Sequence, residues 1–121
     1  MYSTMLKSKL HRAKVTQAEL NYEGSLTIDR DLMDAVHLLP YEKVLVSNLA
    51  NGQRFETYAI PGQAGSGIIC LNGPTAHLGA VGDLLVILAF AQVPTNEACR
   101  QRPLILVLDK HNKPTGPLKE T

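Results

Sequence analysis

The chain has 121 residues, a length that suits one domain with a single hydrophobic core. Hydrophobic residues make up 45% and charged residues 19% of the sequence, which excludes an intrinsically disordered chain. The formal net charge is only +1, because lysine and arginine are balanced by aspartate and glutamate, and this argues against nucleic acid or an anionic membrane as a partner.

The sequence also indicates the cellular location of the protein. The first residues lack the apolar run of a signal peptide, and the longest apolar stretch, residues 84–91, is too short to span a bilayer. The two cysteines, Cys70 and Cys99, have neither the number of a disulfide framework nor the spacing of a metal site. We therefore expect a cytoplasmic protein with free thiols and no bound metal.

The first half of the chain alternates in the manner of β-strands. Residues 5–15 predict a strand with one face formed by Lys7, Lys9, His11 and Ala13 and the other by Leu6, Ser8 and Leu10. Residues 25–29 predict a second strand. Asp29 then suits the N-cap of a short helix over residues 30–36, in which Leu32 and Val36 lie four apart on the buried side.

The second half adds further strand patterns, at residues 42–48, 53–60, 67–71, 84–91 and 104–108. Asn51-Gly52 is the strongest hairpin signal in the chain, and residues 95–100 predict one helical turn. Many short strands with small helices between them favour a closed barrel, of which the six-stranded double-psi barrel is one form. We expect a single domain over residues 1–110 and a flexible tail at 111–121, where prolines, glycine and charges accumulate.

The pair Gly24-Ser25 places a hydroxyl directly after a glycine, and so marks a bond that the chain could cut by itself. Gly24 has no Cβ, which leaves its carbonyl open to attack. Attack by the Ser25 hydroxyl would convert the amide to an ester, and elimination and hydrolysis would turn residue 25 into a pyruvoyl group. Such a terminal ketone is an electron sink of the kind that pyridoxal phosphate supplies elsewhere. Alone, the pair is also an ordinary turn sequence.

Polar residues on two predicted strands suit the recognition and decarboxylation of a dicarboxylic amino acid. Arg54 can hold a carboxylate through two parallel hydrogen bonds, and Lys9, on the same face as His11, can add a second positive charge. Tyr58 shares a strand face with Arg54 and can donate a proton, whereas the Thr57 hydroxyl falls on the opposite face. Taken singly, each of these residues is more simply interpreted as a surface charge or a packing residue.

Motifs over residues 4–109 resemble the aspartate 1-decarboxylase precursors, a pyruvoyl-dependent family that makes β-alanine for pantothenate synthesis. The matching segments, in order, are Thr4-Met5-Leu6, Lys9-Leu10-His11-Arg12, Leu20-Asn21-Tyr22-Glu23-Gly24-Ser25, Ile28-Asp29, Asn51-Gly52, Arg54-Phe55, Thr57-Tyr58, Asn72-Gly73 and Val81-Gly82-Asp83. The resemblance implies a six-stranded double-psi β-barrel, mainly β with a few short helices. It also implies a homotetramer with active sites between subunits, and no metal or pyridoxal phosphate.

The resemblance further implies a reaction and roles for individual residues. L-Aspartate is decarboxylated to β-alanine and carbon dioxide through a Schiff base at the pyruvoyl group derived from Ser25, after the cut that separates residues 1–24 from 25–121. Tyr58 resembles the proton donor, and Thr57 a residue that contacts substrate and assists cleavage. The family's charged substrate pocket corresponds in this sequence to Lys9, His11 and Arg54, with Tyr22 and Asn72 in support.

The loop after Asn72 departs from the family pattern, in which three alanines follow Asn-Gly. This chain has Pro74-Thr75-Ala76 instead. Because Pro74 has no N–H, a substrate contact there must come from its carbonyl, or from Gly73 or Thr75.

Two other functions remain open on the residues alone. A non-catalytic double-psi barrel that binds a partner would keep an intact chain and would not need Gly24-Ser25. A hydrolase with a freed N-terminal serine as nucleophile would need the same cut but keep the amine. Whether a maturation factor assists cleavage is not determined by the sequence.

Overall fold

The computed structural model of the protein describes residues 1–120 and is mainly β, as expected, with only short helices. The strands are β1 (Tyr2–Lys14), β2 (Gln17–Glu19), β3 (Ser25–Asp29), β4 (Lys43–Asn48), β5 (Arg54–Gly62), β6 (Ile69–Asn72), β7 (Leu84–Pro94) and β8 (Leu104–Val107). The helical segments are α1 (Arg30–Ala35) and two 3-10 helices, Gly73–His77 and Thr95–Arg100. None of the helices within residues 1–120 has the length and apolar character needed to cross a membrane.

Seven of the eight strand segments form a closed ring of six strands, because β1 and β2 act as one. The strands neighbour one another in the order β2-β6-β3-β5-β4-β7-β1-β8. β1 and β2 are parts of one extended run, since only residues 15 and 16 separate them and the Thr16 N–H donates to the Ile69 carbonyl of β6. This run pairs with β7 through β1 and with β6 through β2, which closes the barrel, and β8 adds to β1 as an extra parallel strand. The structure therefore has two more strand segments than the six expected, but the ring itself contains six.

The hydrophobic core fills the interior of this ring. Strand alternation places one side chain in two inside, and burying a leucine or isoleucine there stabilises the fold by about 1.5–3 kcal/mol. The largest fully buried side chains include Leu10, Leu26, Ile28, Met33, Val46, Ile69, Leu71, Leu85 and Ile87.

A β-bulge in β1 corrects one expectation. Arg12 has a φ of 69°, and the pairing of β1 with β7 shifts between His11 and Ala13. The extra residue reverses the alternation, so that Ala13 is fully buried on the side of Leu10 and does not share a face with His11. The bulge thereby ends the outward-facing row of Lys7, Lys9 and His11.

Asp29 caps α1 as predicted, and it also fixes a turn. Its Oδ1 accepts hydrogen bonds from the backbone N–H groups of Asp31 at 2.8 Å and Gly65 at 3.0 Å, and its Oδ2 accepts one from Gly67 at 2.8 Å. These three donors compensate for burying the carboxylate. The end of β3 is therefore held in place on the side away from Ser25.

The segment after β8 folds back onto the barrel. Buried Asn112 accepts a hydrogen bond from the Lys14 N–H at 2.7 Å, and its amide nitrogen donates to the carbonyls of Lys14 and Gly67, each at 2.8 Å. Further along, the Lys119 N–H donates to the Ile105 carbonyl. Asn112 thus anchors the first part of the segment that the sequence analysis expects as a tail; its flexibility stays a prediction.

Candidate active site

Ser25 lies at the start of β3, between β5 and β6, and faces away from the core. It pairs with Asn72 of β6, while the next residue, Leu26, pairs with Ala59 of β5. Leu26 and Ala59 are fully buried in the core. Since alternate residues face opposite sides of a strand, Ser25 and Tyr58 both point to the outer face. The register therefore brings the two proposed catalytic residues to the same end of neighbouring strands.

The Ser25 hydroxyl is held by an amide. Asn72 Nδ2 donates to Ser25 Oγ at 2.9 Å and to Thr27 Oγ1 at 2.9 Å, and only 1% of Ser25 is exposed. Since Ser25 Oγ accepts this hydrogen bond, its own hydrogen points elsewhere and stays available for transfer. The resemblance implies only a supporting role for Asn72, whereas its amide is the polar centre of this cluster.

The 3-10 helix Gly73–His77 packs against the backbone of residues 22–24, immediately before the bond between Gly24 and Ser25. Gly73 has a φ of 63°, and a Cβ added there would lie 2.5 Å from the Tyr22 carbonyl oxygen and 2.8 Å from the Gly24 nitrogen. A Cβ on Gly24 would in turn lie 3.3 Å from Pro74 Cδ. The Tyr22 side chain, by contrast, is 57% exposed. Tyr22 therefore contributes its backbone, and the contact allows only glycine at position 73.

Pro74 and Thr75 fit this helix for separate reasons. Pro74 lies in the first helical turn, where its missing N–H removes no helical hydrogen bond. The Thr75 hydroxyl is buried and donates to the Asn72 carbonyl at 2.8 Å, with the Ser25 carbonyl at 3.4 Å. The departure from the alanine pattern thus keeps the helix against β3, and it adds a hydroxyl beside residue 25.

Replacing Gly73 with alanine should slow self-cleavage and lower the melting temperature. An L-residue in the left-handed region costs about 1–2 kcal/mol, and here the new methyl group also collides with the backbone of residues 22–24. Gly52→Ala is the matched control, because Gly52 has a φ of 76° but nothing within 4 Å of an added Cβ. Denaturing gels would follow cleavage in both variants, and thermal melts their stability. Equal behaviour of the two variants would show that the contact with residues 22–24 is unimportant for cleavage.

Tyr58 is half-buried and lies against a second tyrosine. Its ring centroid is 6.2 Å from that of Tyr41, with 37° between the ring planes. Tyr41 has a φ of 70°, and its N–H donates to the Ala59 carbonyl at 2.7 Å, which ties this unusual conformation to β5. No residue pattern in the sequence points to this contact. Thr57 is also partly buried, on the neighbouring position of β5.

Arg54, Lys9 and His11 lie on the outer face but not beside Ser25. Arg54 is four residues from Tyr58, which corresponds to about 13 Å along a strand. Lys9 and His11 belong to β1, which is separated from β5 by β7 and β4. The registers place His11 and Arg54 in one row across those four strands. One copy of the chain therefore assembles Ser25, Asn72, Thr75 and Tyr58. It leaves Arg54, Lys9 and His11 on a separate part of the surface.

His11 is an unusual member of that surface. Its Nδ1 is buried and has no hydrogen-bond partner among residues 1–120. Burial, followed by the positive charges of Lys9, Arg12 and Lys119, lowers the pKa of the imidazole below its ordinary value. The ring is therefore neutral at neutral pH, and Lys9 and Arg54 carry the positive charge of this surface.

Comparisons with known proteins identify the family of the chain. The family model described as aspartate decarboxylase matches residues 1–115. An aspartate 1-decarboxylase of Syntrophobacter fumaroxidans is 55% identical over 114 residues, which cover 94% of this chain and 92% of that protein. One of Thermoanaerobacter pseudethanolicus is 51% identical over 116 residues, which cover 96% and 99%. The match of the family model over almost the whole chain, together with these relatives, shows that the chain belongs to the aspartate decarboxylase family.

Proposed function

We infer that this enzyme, a decarboxylase, converts L-aspartate to β-alanine and carbon dioxide for pantothenate biosynthesis, and we propose that it uses a pyruvoyl group made from Ser25. The observation that carries the pyruvoyl proposal is the buried Ser25 hydroxyl, directly after Gly24 and held by the Asn72 amide at 2.9 Å. An ordinary turn serine would be exposed to solvent and would need no such partner.

The residues around Ser25 fit a pyruvoyl group. Asn72 Nδ2 and the Thr75 hydroxyl are polar groups within reach of residue 25, and Gly24 offers a carbonyl without a neighbouring Cβ. The pyruvoyl group, once formed, supplies an electron sink for the bond that loses carbon dioxide. Burial of Ser25 excludes bulk water from this position, which strengthens the hydrogen bonds there.

The pyruvoyl group is formed by a reaction of the chain with itself. Ser25 Oγ bonds to the Gly24 carbonyl carbon as the bond to the Ser25 nitrogen breaks, which converts the amide to an ester. Loss of the Ser25 Cα proton then expels Gly24 as a free carboxylate and leaves a carbon–carbon double bond at residue 25. A proton moves from the nitrogen to Cβ, which turns this enamine into an imine. Water then replaces the imine nitrogen, which departs as ammonia and leaves the ketone. Helix Gly73–His77 holds the backbone of residues 22–24 in place during these steps.

Substrate recognition requires residues that one chain does not bring together. Among residues 1–120, Lys9 and Arg54 form no ion pair, so both are available to a carboxylate. Since they lie strands away from Ser25, we propose that a neighbouring copy in a homotetramer supplies them. Arg54 holds the side-chain carboxylate that survives, because a strong ion pair to the departing carboxylate would stabilise the ground state. Tyr58 protonates the carbon that loses carbon dioxide, and Thr57 contacts the substrate.

Mass spectrometry of the purified protein tests the pyruvoyl proposal. We expect fragments 1–24 and 25–121, with the second lighter by one ammonia than the product of simple hydrolysis. Hydride reduction or hydrazine should label its new terminus and abolish β-alanine formation. An intact chain without activity would favour a binding barrel, and a fragment that keeps its terminal amine would favour an N-terminal serine hydrolase. The free thiols Cys70 and Cys99 suit the cytoplasm, where we place the enzyme.

A further inference from the structure

Cys70 lies beside the amide that holds Ser25. It belongs to β6 and pairs with Thr27, just as Asn72 pairs with Ser25, so the four side chains share one face of two strands. Cys70 Sγ is 3.2 Å from Asn72 Oδ1, and only 4% of Cys70 is exposed. The buried thiol therefore contacts the Asn72 amide directly and can affect its hydrogen bonds as well as fill space.

The orientation of the Asn72 amide depends on this contact. The Ser25 and Thr27 hydroxyls can each donate or accept, so they tolerate either the nitrogen or the oxygen of the amide. A thiol is a weak donor and a poor acceptor, so it favours the amide oxygen. Burial, followed by the negative charge of Glu19, raises the pKa of the Cys70 thiol, which keeps its proton in place.

We propose that Cys70 is a positioning residue for self-cleavage: its S–H donates to Asn72 Oδ1 and so selects the orientation in which Nδ2 donates to Ser25 Oγ. This inference rests on the proposed cleavage between Gly24 and Ser25. In the reverse orientation the Ser25 hydrogen would be given to the amide oxygen, a very weak base that cannot remove it. Cys70 thus keeps the Ser25 hydroxyl in the form that can lose its proton as it attacks.

Three variants of the full chain test this role. Loss of one modest hydrogen bond in Cys70→Ala should slow cleavage by about threefold to tenfold. Cys70→Ser keeps the size of the side chain, but its hydroxyl accepts as readily as it donates and does not select one end of the amide. It should therefore cleave about as slowly as the alanine variant. Cys99→Ala, which removes the exposed cysteine, should cleave at the parent rate. The rate is measured by quantifying uncut chain on denaturing gels at timed intervals after purification.

Melting temperatures separate positioning from packing. Each Cys70 substitution is also made in the uncut Ser25→Ala background, so that stability is compared between chains in the same covalent state. A serine variant that cleaves at the parent rate would show that packing alone matters and would overturn the inference, as would an alanine variant that cleaves at the parent rate. An uncut parent chain would overturn both this inference and the proposed function, whereas a cut parent with an unaffected alanine variant overturns only the role of Cys70.

Discussion

Ser25→Ala should yield a folded, uncut chain with no detectable β-alanine formation. The substitution removes the only oxygen that can attack the Gly24 carbonyl from the next residue, and with it the source of the terminal ketone. It leaves Asn72 with its second acceptor, Thr27 Oγ1 at 2.9 Å, so the cluster keeps one of its two hydrogen bonds. Mass spectrometry reports the cut, and quantification of β-alanine from L-aspartate reports the activity.

Ser8→Ala is the control for this variant. Ser8 is likewise fully buried, and its hydroxyl donates to the Val36 carbonyl at 2.5 Å, but it lies on the inner face of β1 away from the cut bond. We expect that control to be less stable by about 1 kcal/mol yet cut and active.

Co-expression adds a second measurement, because uncut Ser25→Ala chains still carry Arg54 and should restore activity to Arg54→Ala chains in mixed oligomers. A cut, active Ser25→Ala protein would refute the assignment.

Tyr58→Phe should separate maturation from turnover. We expect cleavage to proceed, because Tyr58 makes no hydrogen bond to Ser25 or Gly24 among the contacts of residues 1–120. Turnover should fall by about 10²-fold or more, as it does when a general acid is removed. Phenylalanine retains the ring that packs at 6.2 Å from Tyr41, so the loss is confined to the hydroxyl. Steady-state kinetics on fully cut enzyme should show the fall in kcat, with KM little changed.

Tyr41→Phe is the matched control, since it removes a phenol from the same ring pair without touching the proposed donor. Its turnover should stay within a few-fold of the parent. Near-normal kcat in Tyr58→Phe would remove Tyr58 from the mechanism, and an equal loss in both variants would show that the ring pair acts as a unit.

Strand alternation and helix-capping patterns in the sequence predict most elements of the barrel. The strand at residues 25–29 and the cap by Asp29 agree with the structure, as does the helical turn at 95–100. These features depend on neighbouring residues alone. The bulge at Arg12, the short strand β2 and the helix at 73–77 were missed, because each arises from contacts with distant parts of the chain.

The candidate site was predictable only in part, for a related reason. Gly24-Ser25 is visible as a sequence motif, and the resemblance placed Tyr58 and Asn72 near it. The hydrogen bonds from Asn72 to Ser25 and Thr27 join residues 45 or more positions apart, and no periodicity reveals them. The separation of Arg54 and Lys9 from Ser25 depends on the strand order, which composition and alternation do not encode.

The continuous run of β1 and β2 has a consequence for whether the mature enzyme can refold after it is unfolded. All of that run lies before residue 24, so cleavage would leave one strand of the barrel as a separate peptide. Strand pairing with β7, β8 and β6 and the buried side chains of Leu10, Ala13 and Val15 would hold this peptide in place. The precursor folds as a unimolecular process. The cut molecule, once unfolded, could re-form only by the meeting of two polypeptides, so its refolding would depend on concentration. Maturation therefore makes denaturation far harder to reverse.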